Sequence, residues 1–336
     1  MAALLATLKK TSSTITLSTT TSPLLRWNST GITVAGISGV SGNTTDKLNY
    51  PWSLAFERPN ILYVSDRNNH RVQKFVIGTI QGSTVAGLAN NTAGSSSDAL
   101  NSPVGIVVDD SSSLYIADEY NYRIQLWSSG ASSGKTIAGN TSSSGNANNQ
   151  LNTPTDIALD SNTATLYIAD SFNHRVMRYL SGTSAGTLVA GNNSAGTGNT
   201  QLWQPTSVYF DSPTNSLLIA NTYAHNIVRW VLGDSCWTLV AGNLNGSSGN
   251  TFRELQYSRT VTLDPMGNVY VADTVNHRIQ FFLNGETNGT TIAGHTGSPA
   301  RNATGLFYPS KIVLDSQLYL YVADTDNQRI QKFLQY

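Results

Sequence analysis

Pro154-Thr-Asp-Ile-Ala-Leu-Asp160, Thr165-Leu-Tyr-Ile-Ala-Asp170, Arg175-Val-Met-Arg-Tyr179 and Thr187-Leu-Val-Ala-Gly191 are four strand-like runs in succession, separated only by turn residues. In the first run Ile157 and Leu159 alternate with small or polar neighbours, the period of two of a pleated strand. The pattern recurs. The tetrapeptide that ends at Gly191 also ends at Gly36, Gly87, Gly139, Gly242 and Gly294, always 51 or 52 residues apart. A second series, ending at Asp66, Asp118, Asp170, Asn221, Asp273 and Asp324, keeps the same period. Two series in phase define six copies, and four short antiparallel strands recurring at ~50 residues describe a propeller blade. The fold class is all-β, a six-bladed β-propeller of four-stranded antiparallel blades.

The chain ends predict how the ring closes. The sixth copy supplies Pro309 to Asp315, Leu318 to Asp324 and Arg329 to Phe333, and then stops at Tyr336 without a fourth strand. Gly31-Ile-Thr-Val-Ala-Gly36 is a fourth strand with no first three before it. An N-terminal strand completing the last blade hides the sheet edges that an open array would expose. Residues 11 to 23 are almost wholly Thr and Ser, too polar to pack, so residues 1–25 are expected to be a disordered Ser/Thr-rich leader or linker and residues 26–336 the propeller.

Composition fits one such domain, with 12% charged and 39% hydrophobic residues and a formal net charge of zero. No global field attracts nucleic acid or an anionic membrane. No apolar run approaches the ~18 residues of a membrane span, and the lysines near the N-terminus follow the short apolar stretch, the reverse of a secretory signal. Cys236 has no partner in the chain, which excludes intrachain disulfides and thiolate zinc clusters.

The segments Asn69-His70-Arg71, Asn173-His174-Arg175 and Asn276-His277-Arg278, each after an Asp and before Ile or Val, resemble the NHL repeat signature. The resemblance covers about residues 31 to 336; Kelch and WD40 repeats match less well, lacking their double-Gly and Trp-Asp signatures. It implies a propeller whose relatives include RNA- or protein-binding domains of tripartite-motif ubiquitin ligases, receptor ectodomains and a zinc-dependent peptide-amidating lyase. Such membership bears on fold more than on function.

Within each copy an Asp ends the second strand and an Arg begins the third, five residues on: Asp66 with Arg71, Asp118 with Arg123, Asp170 with Arg175, Asp273 with Arg278, Asp324 with Arg329. Blade four replaces both together, with Asn221 and Asn226. Joint replacement points to pairing across the hairpin, because a lone half-buried charge is costly. His70, His174, His225 and His277 share one repeat position, filled by Tyr122 and Gln328 in the other blades. Equivalent positions on adjacent sheets lie ~10 Å apart or more, too far to share a zinc whose ligands each sit about 2 Å from it. A turn-packing role is expected, with no metal and no cofactor.

Strand alternation puts the loops after the fourth strands and the turns between second and third strands on one face. Those loops, 37–50, 88–102, 140–153, 192–204, 243–257 and 295–308, are long, rich in Gly, Asn and Ser, and end in Leu-x-x-Pro, with Ser258 for Pro in blade five. Their aromatic rim residues Tyr50, Trp203, Tyr257, Phe307 and Tyr308 are candidate contact groups. Two places after the anchor lie Ser53, Gly105, Asp156, Ser207, Thr260 and Lys311, expected to line the mouth of the axial channel. Asp156 and Lys311 fall on opposed blades, which predicts a bipolar mouth able to orient a small polar ligand or hold water.

Catalytic motifs are absent: there is no Gly-x-Ser-x-Gly, no His-Glu-x-x-His and no phosphate-binding Gly loop, and glutamate occurs only at 57, 119, 254 and 286. The expected function is a non-catalytic platform that binds a protein or glycan ligand through its long-loop face as a monomer, without membrane insertion. An RNA-binding domain, or a lyase or hydrolase on the same scaffold, are the alternatives. Five of the 20 Lys and Arg occupy the repeat pairs, leaving too few for a dense basic patch, so nucleic acid is not expected. Asparagine sequons at 28, 43, 90, 140, 192, 245, 288 and 302, low charge and the Thr/Ser leader favour an extracellular or cell-surface glycoprotein over a cytoplasmic protein.

Overall fold

A computed structural model describes residues 25–57 and 60–336. The Ser/Thr-rich leader read over residues 1–25 lies, apart from Leu25, outside them. Six four-stranded antiparallel sheets follow one another along the chain. Blade one consists of Pro51–Glu57, Ile61–Asp66, Arg71–Val76 and Gly82–Ala86. Blade six takes Pro309–Leu314, Leu320–Asp324 and Arg329–Phe333 from the end of the chain and Ile32–Gly36 from its beginning. The closing strand runs antiparallel with Ile32 opposite Lys332 and Gly36 opposite Arg329. Trp27, just before it, is buried against Tyr270 and Phe281 of blade five and donates its indole N–H to the Leu318 carbonyl at 3.0 Å.

Each sheet is buried on both faces because each lies between two others. Ile168 and Met177 of blade three pack with Val104 and Ile124 of blade two, whereas Tyr167 and Val176 pack with Val208 and Ile219 of blade four. Alternate residues of one strand thus serve opposite neighbours. The leucine of every Leu-x-x-Pro anchor, from Leu48 to Leu306, is wholly buried. The glycine that ends each fourth strand is required by the backbone: Gly87 has φ +90°, and a Cβ there would lie 2.4 Å from the His70 carbonyl oxygen. Among the described residues no helix is long and apolar enough to cross a membrane.

Candidate functional site

The repeat residues hold the long loops in place. In blade three the Arg175 Nε–H donates to Asp170 Oδ2 at 2.6 Å, and both residues are buried. The remaining guanidinium N–H groups reach the carbonyls of Asn146, Ala147 and Gln150 in the preceding long loop. Asp170 also accepts from Asn173 Nδ2 and from the backbone N–H of Asn152. Arg71 with Asp66, Arg123 with Asp118, Arg278 with Asp273 and Arg329 with Asp324 repeat the arrangement, at 2.7 to 2.8 Å. Burial pushes these carboxyls above their usual range, against the pull of the arginines, and carries Asp324 up to about 6. In blade four Asn221 Nδ2 donates instead to Asn226 Oδ1 at 3.1 Å.

The motif histidines tie one blade to the next. Nδ1 of His70, His174, His225 and His277 accepts the backbone N–H of Ser102, Gln204, Tyr257 and Tyr308, at 3.1 to 3.3 Å. Gln328 does the same with its amide oxygen, accepting from the Tyr50 N–H at 2.6 Å. Among the described residues no three His, Cys, Asp or Glu side chains converge to hold a metal ion.

On the long-loop face the five rim aromatics fall into three groups. Trp203 and Tyr257 are linked by Tyr223, whose ring centroid lies 6.3 Å from the first and 5.0 Å from the second. Phe307 and Tyr308 stack obliquely at 5.3 Å, against His277. Tyr50 lies 6.0 Å from Trp52. Tyr120, Phe172, Trp203 and Tyr223 are exposed, so an apolar arc crosses blades two to four. Sequence reasoning overlooked Tyr120, Phe172 and Tyr223, which occupy one repeat position, two residues after the Asp or Asn that ends the second strand.

Departures from the repeat gather at one point of this face. In blades four, five and six the residue after that Asp or Asn is Thr222, Thr274 or Thr325, whose hydroxyl donates to the anchor carbonyl of the next blade: Ser258, Pro309 and Pro51. Blades one and two carry Arg67 and Glu119 there, which form an ion pair at 2.8 Å. The Arg67 guanidinium also lies 5.2 Å from the Trp52 ring and 5.4 Å from the Tyr120 ring. From blade five Arg259 reaches over Trp52, at 4.4 Å, and its Nη1 is buried without a hydrogen-bond partner. Burial raises the Glu119 carboxyl above its usual range despite Arg67 and Arg259. Two cations, two aromatic faces and one carboxylate therefore meet where the other blades use hydroxyls.

The bipolar mouth read for the axis is not present. Lys311 Nζ donates to both carboxylate oxygens of Asp156, at 2.8 and 2.7 Å, so the two charges neutralise one another. Ser207 Oγ donates to the same carboxylate at 2.7 Å. Ser53, Asp156, Ser207 and Thr260 are all buried, and a Cβ on Gly105 would lie 2.5 Å from the Asp156 Cα. The inner strands approach closely enough for one lysine stem to span the axis, and this level is a plug instead of a solvent-lined opening.

Comparison with known proteins agrees with this architecture. Residues 48–75, 257–282 and 308–333 match the NHL repeat. The human NHL repeat-containing protein 2 is 28% identical over an alignment covering 66% of this chain and 37% of that protein. The chain thus spans well under half the length of that relative. Among solved structures, an auxiliary nutrient binding protein from Bacteroides thetaiotaomicron aligns with a TM-score of 0.68 and 18% identity over 92% of this chain and 77% of its own. A gluconolactonase from Xanthomonas campestris aligns with a TM-score of 0.63 and 13% identity, over 91% of this chain and 97% of its own. At such identities the likeness concerns the fold alone.

Proposed function

Because the chain belongs to the NHL repeat family and forms a six-bladed propeller, we propose that it is a non-catalytic binding platform for a protein or glycan ligand, presented by the long-loop face. The observation that carries this is the place where the repeat is broken: Arg67, Glu119, Trp52 and Arg259, from three blades, meet beside the exposed arc of Tyr120, Phe172, Trp203 and Tyr223. Unlike Asn221 and Asn226, which replace one buried pair by another within a single hairpin, these residues depart from the repeat in three blades and meet at the long-loop face. Exposed aromatic and arginine side chains are the groups that carry most binding energy at recognition surfaces.

We also propose an extracellular or cell-surface location. The asparagine of each of the eight sequons is exposed, and six of them stand one to each long loop. Several of these loops use the same side chain to close a turn, as in Asn90 with the Thr92 N–H and Asn192 with the Ser194 N–H. The test of function is a glycan array and capture of secreted proteins, with Tyr223→Ala and Arg259→Ala compared with wild type. Binding that survives both substitutions would sink the long-loop platform. Capture of single-stranded RNA with a steep salt dependence would replace it by the nucleic-acid alternative.

A further inference from the structure

A cavity of about 660 Å³ opens on the face opposite the long loops. Its walls begin one residue beyond the axial plug and run to the turns that join first and second strands. One ring of equivalent positions supplies Ala55, Val107, Ala158, Tyr209, Thr262 and Val313. Of the six residues at the plug level only Lys311 lines the cavity, so its side chain forms part of the floor. The size falls within the ~300–1,000 Å³ of small-molecule sites, and the lining combines apolar side chains near the plug with carboxylates, amides and hydroxyls farther out.

We infer that this cavity binds a neutral small molecule that presents one acceptor oxygen to Lys311 and an apolar part to the ring of residues around it. An ammonium has three donors, and the hydrogen bonds of Lys311 among the described residues are the two to Asp156. One N–H is left for a ligand oxygen. The charge at the mouth selects against anions. With Lys311 neutralised by Asp156, the lining retains three carboxylates, Asp109, Asp110 and Asp315, and one ammonium, Lys332, which lies over the Tyr319 and Tyr321 rings. An anion would also lose its hydration against the apolar ring without gaining a free counter-ion, and a cation brought to the floor would meet the Lys311 ammonium while the carboxylates stay at the mouth. A hydroxyl or carbonyl group meets neither obstacle. The site lies on the other side of the plug from the proposed platform and does not depend on it.

The experiment uses the full chain and Nile red, an uncharged dye with one ring carbonyl, with anilinonaphthalene sulfonate as the anionic counterpart. Saturable, one-to-one binding of Nile red with blue-shifted emission is expected, together with weaker binding of the sulfonate. Thr262→Phe narrows the cavity and should weaken Nile red by about tenfold or more, as loss of a substantial apolar contact area implies. Val107→Phe repeats the test on another wall, and melting curves identify a variant that is folded. Lys311→Met combined with Asp156→Asn removes the donor without stranding a carboxylate and should weaken binding by about tenfold, the worth of one hydrogen bond to a charged group. Tyr223→Ala, on the opposite face, should change nothing. No saturable binding, wild-type affinity in a folded Phe variant, loss of binding in Tyr223→Ala, or a preference for the sulfonate would each overturn the inference.

Discussion

Lys311 and Asp156, 155 residues and three blades apart, form a two-pronged ion pair across the propeller axis. The pair is largely enclosed, with 15% of the lysine side chain and 3% of the aspartate exposed. Lys311→Met alone leaves a buried carboxylate with only Ser207 Oγ and the Val208 N–H as partners. It should cost about 3 kcal/mol or more, as removal of one member of a buried pair does. Adding Asp156→Asn should recover much of that loss. Additive single effects in denaturant unfolding would show that the two residues do not act as a pair.

The histidine bridges make ring stability depend on pH. Burial holds His70, His174, His225 and His277 below the usual histidine range, and each Nδ1 must be unprotonated to accept its inter-blade N–H. The unfolded chain binds these protons near pH ~6.5, before the folded chain does. This stabilisation is therefore present above that value and is lost as pH falls through the lower folded values. The buried aspartates act in the opposite sense: their raised values, about 6 for Asp324, favour the folded state at low pH and lose that contribution as pH rises. A comparison within one position separates the two. His277→Gln copies Gln328, which makes the same bridge without titrating. Its melting temperature should equal that of wild type at neutral pH and exceed it in acid, by the ~1 kcal/mol of one hydrogen bond. Parallel curves would rule out the bridge as the titrating element.

The parts of the molecule that repeat could be read from the sequence, as could a break confined to one hairpin, Asn221 with Asn226, but breaks that meet across blades could not. Gly87 and its equivalents recur because each backbone passes within a Cβ of the preceding turn, and Asp170 with Arg175 recurs because each long loop needs the same anchor. Trp52 and Arg259 stand at one repeat position in blades one and five, and Arg67 and Glu119 at another in blades one and two. Along the chain these are isolated exceptions. Only the curvature of the ring brings Arg259 over Trp52. The opposition of Asp156 and Lys311 follows from counting blades, but the width of the axis relative to a lysine stem depends on how closely the inner strands pack.

The loop anchor predicts unequal loop dynamics. Five long loops are held by three carbonyl acceptors on an arginine, as Asn250, Thr251 and Glu254 are by Arg278. The loop at residues 192–204, before blade four, has Asn226 in place of that arginine, and the Asn226 amide donates to Asn243 instead. Amide exchange at residues 192–204 should be faster than in the equivalent loop at 140–153. Arg175→Asn should bring the 140–153 loop to a similar rate. Equal exchange in both loops of the wild type would mean that the guanidinium contacts do not restrain them.

Closure by the first strand makes the most demanding prediction, because three truncations separate its parts. Removing residues 1–23 should leave the melting temperature unchanged. Removing residues 1–30 keeps Ile32–Gly36 but deletes Trp27, whose indole fills a site between Tyr270 and Phe281. Loss of a buried Trp side chain of this kind costs about 3–5 kcal/mol. Removing residues 1–36 also strips the fourth strand from blade six, exposing the Arg329–Phe333 edge and the wholly buried Phe333 and Ile330. That chain should aggregate, because an unpaired apolar edge is a template for pairing with another chain. A synthetic peptide spanning residues 25–37 should restore solubility by taking the vacant place. A truncated chain that stays monomeric and melts with the full-length protein would show that blade six is complete without the N-terminal strand.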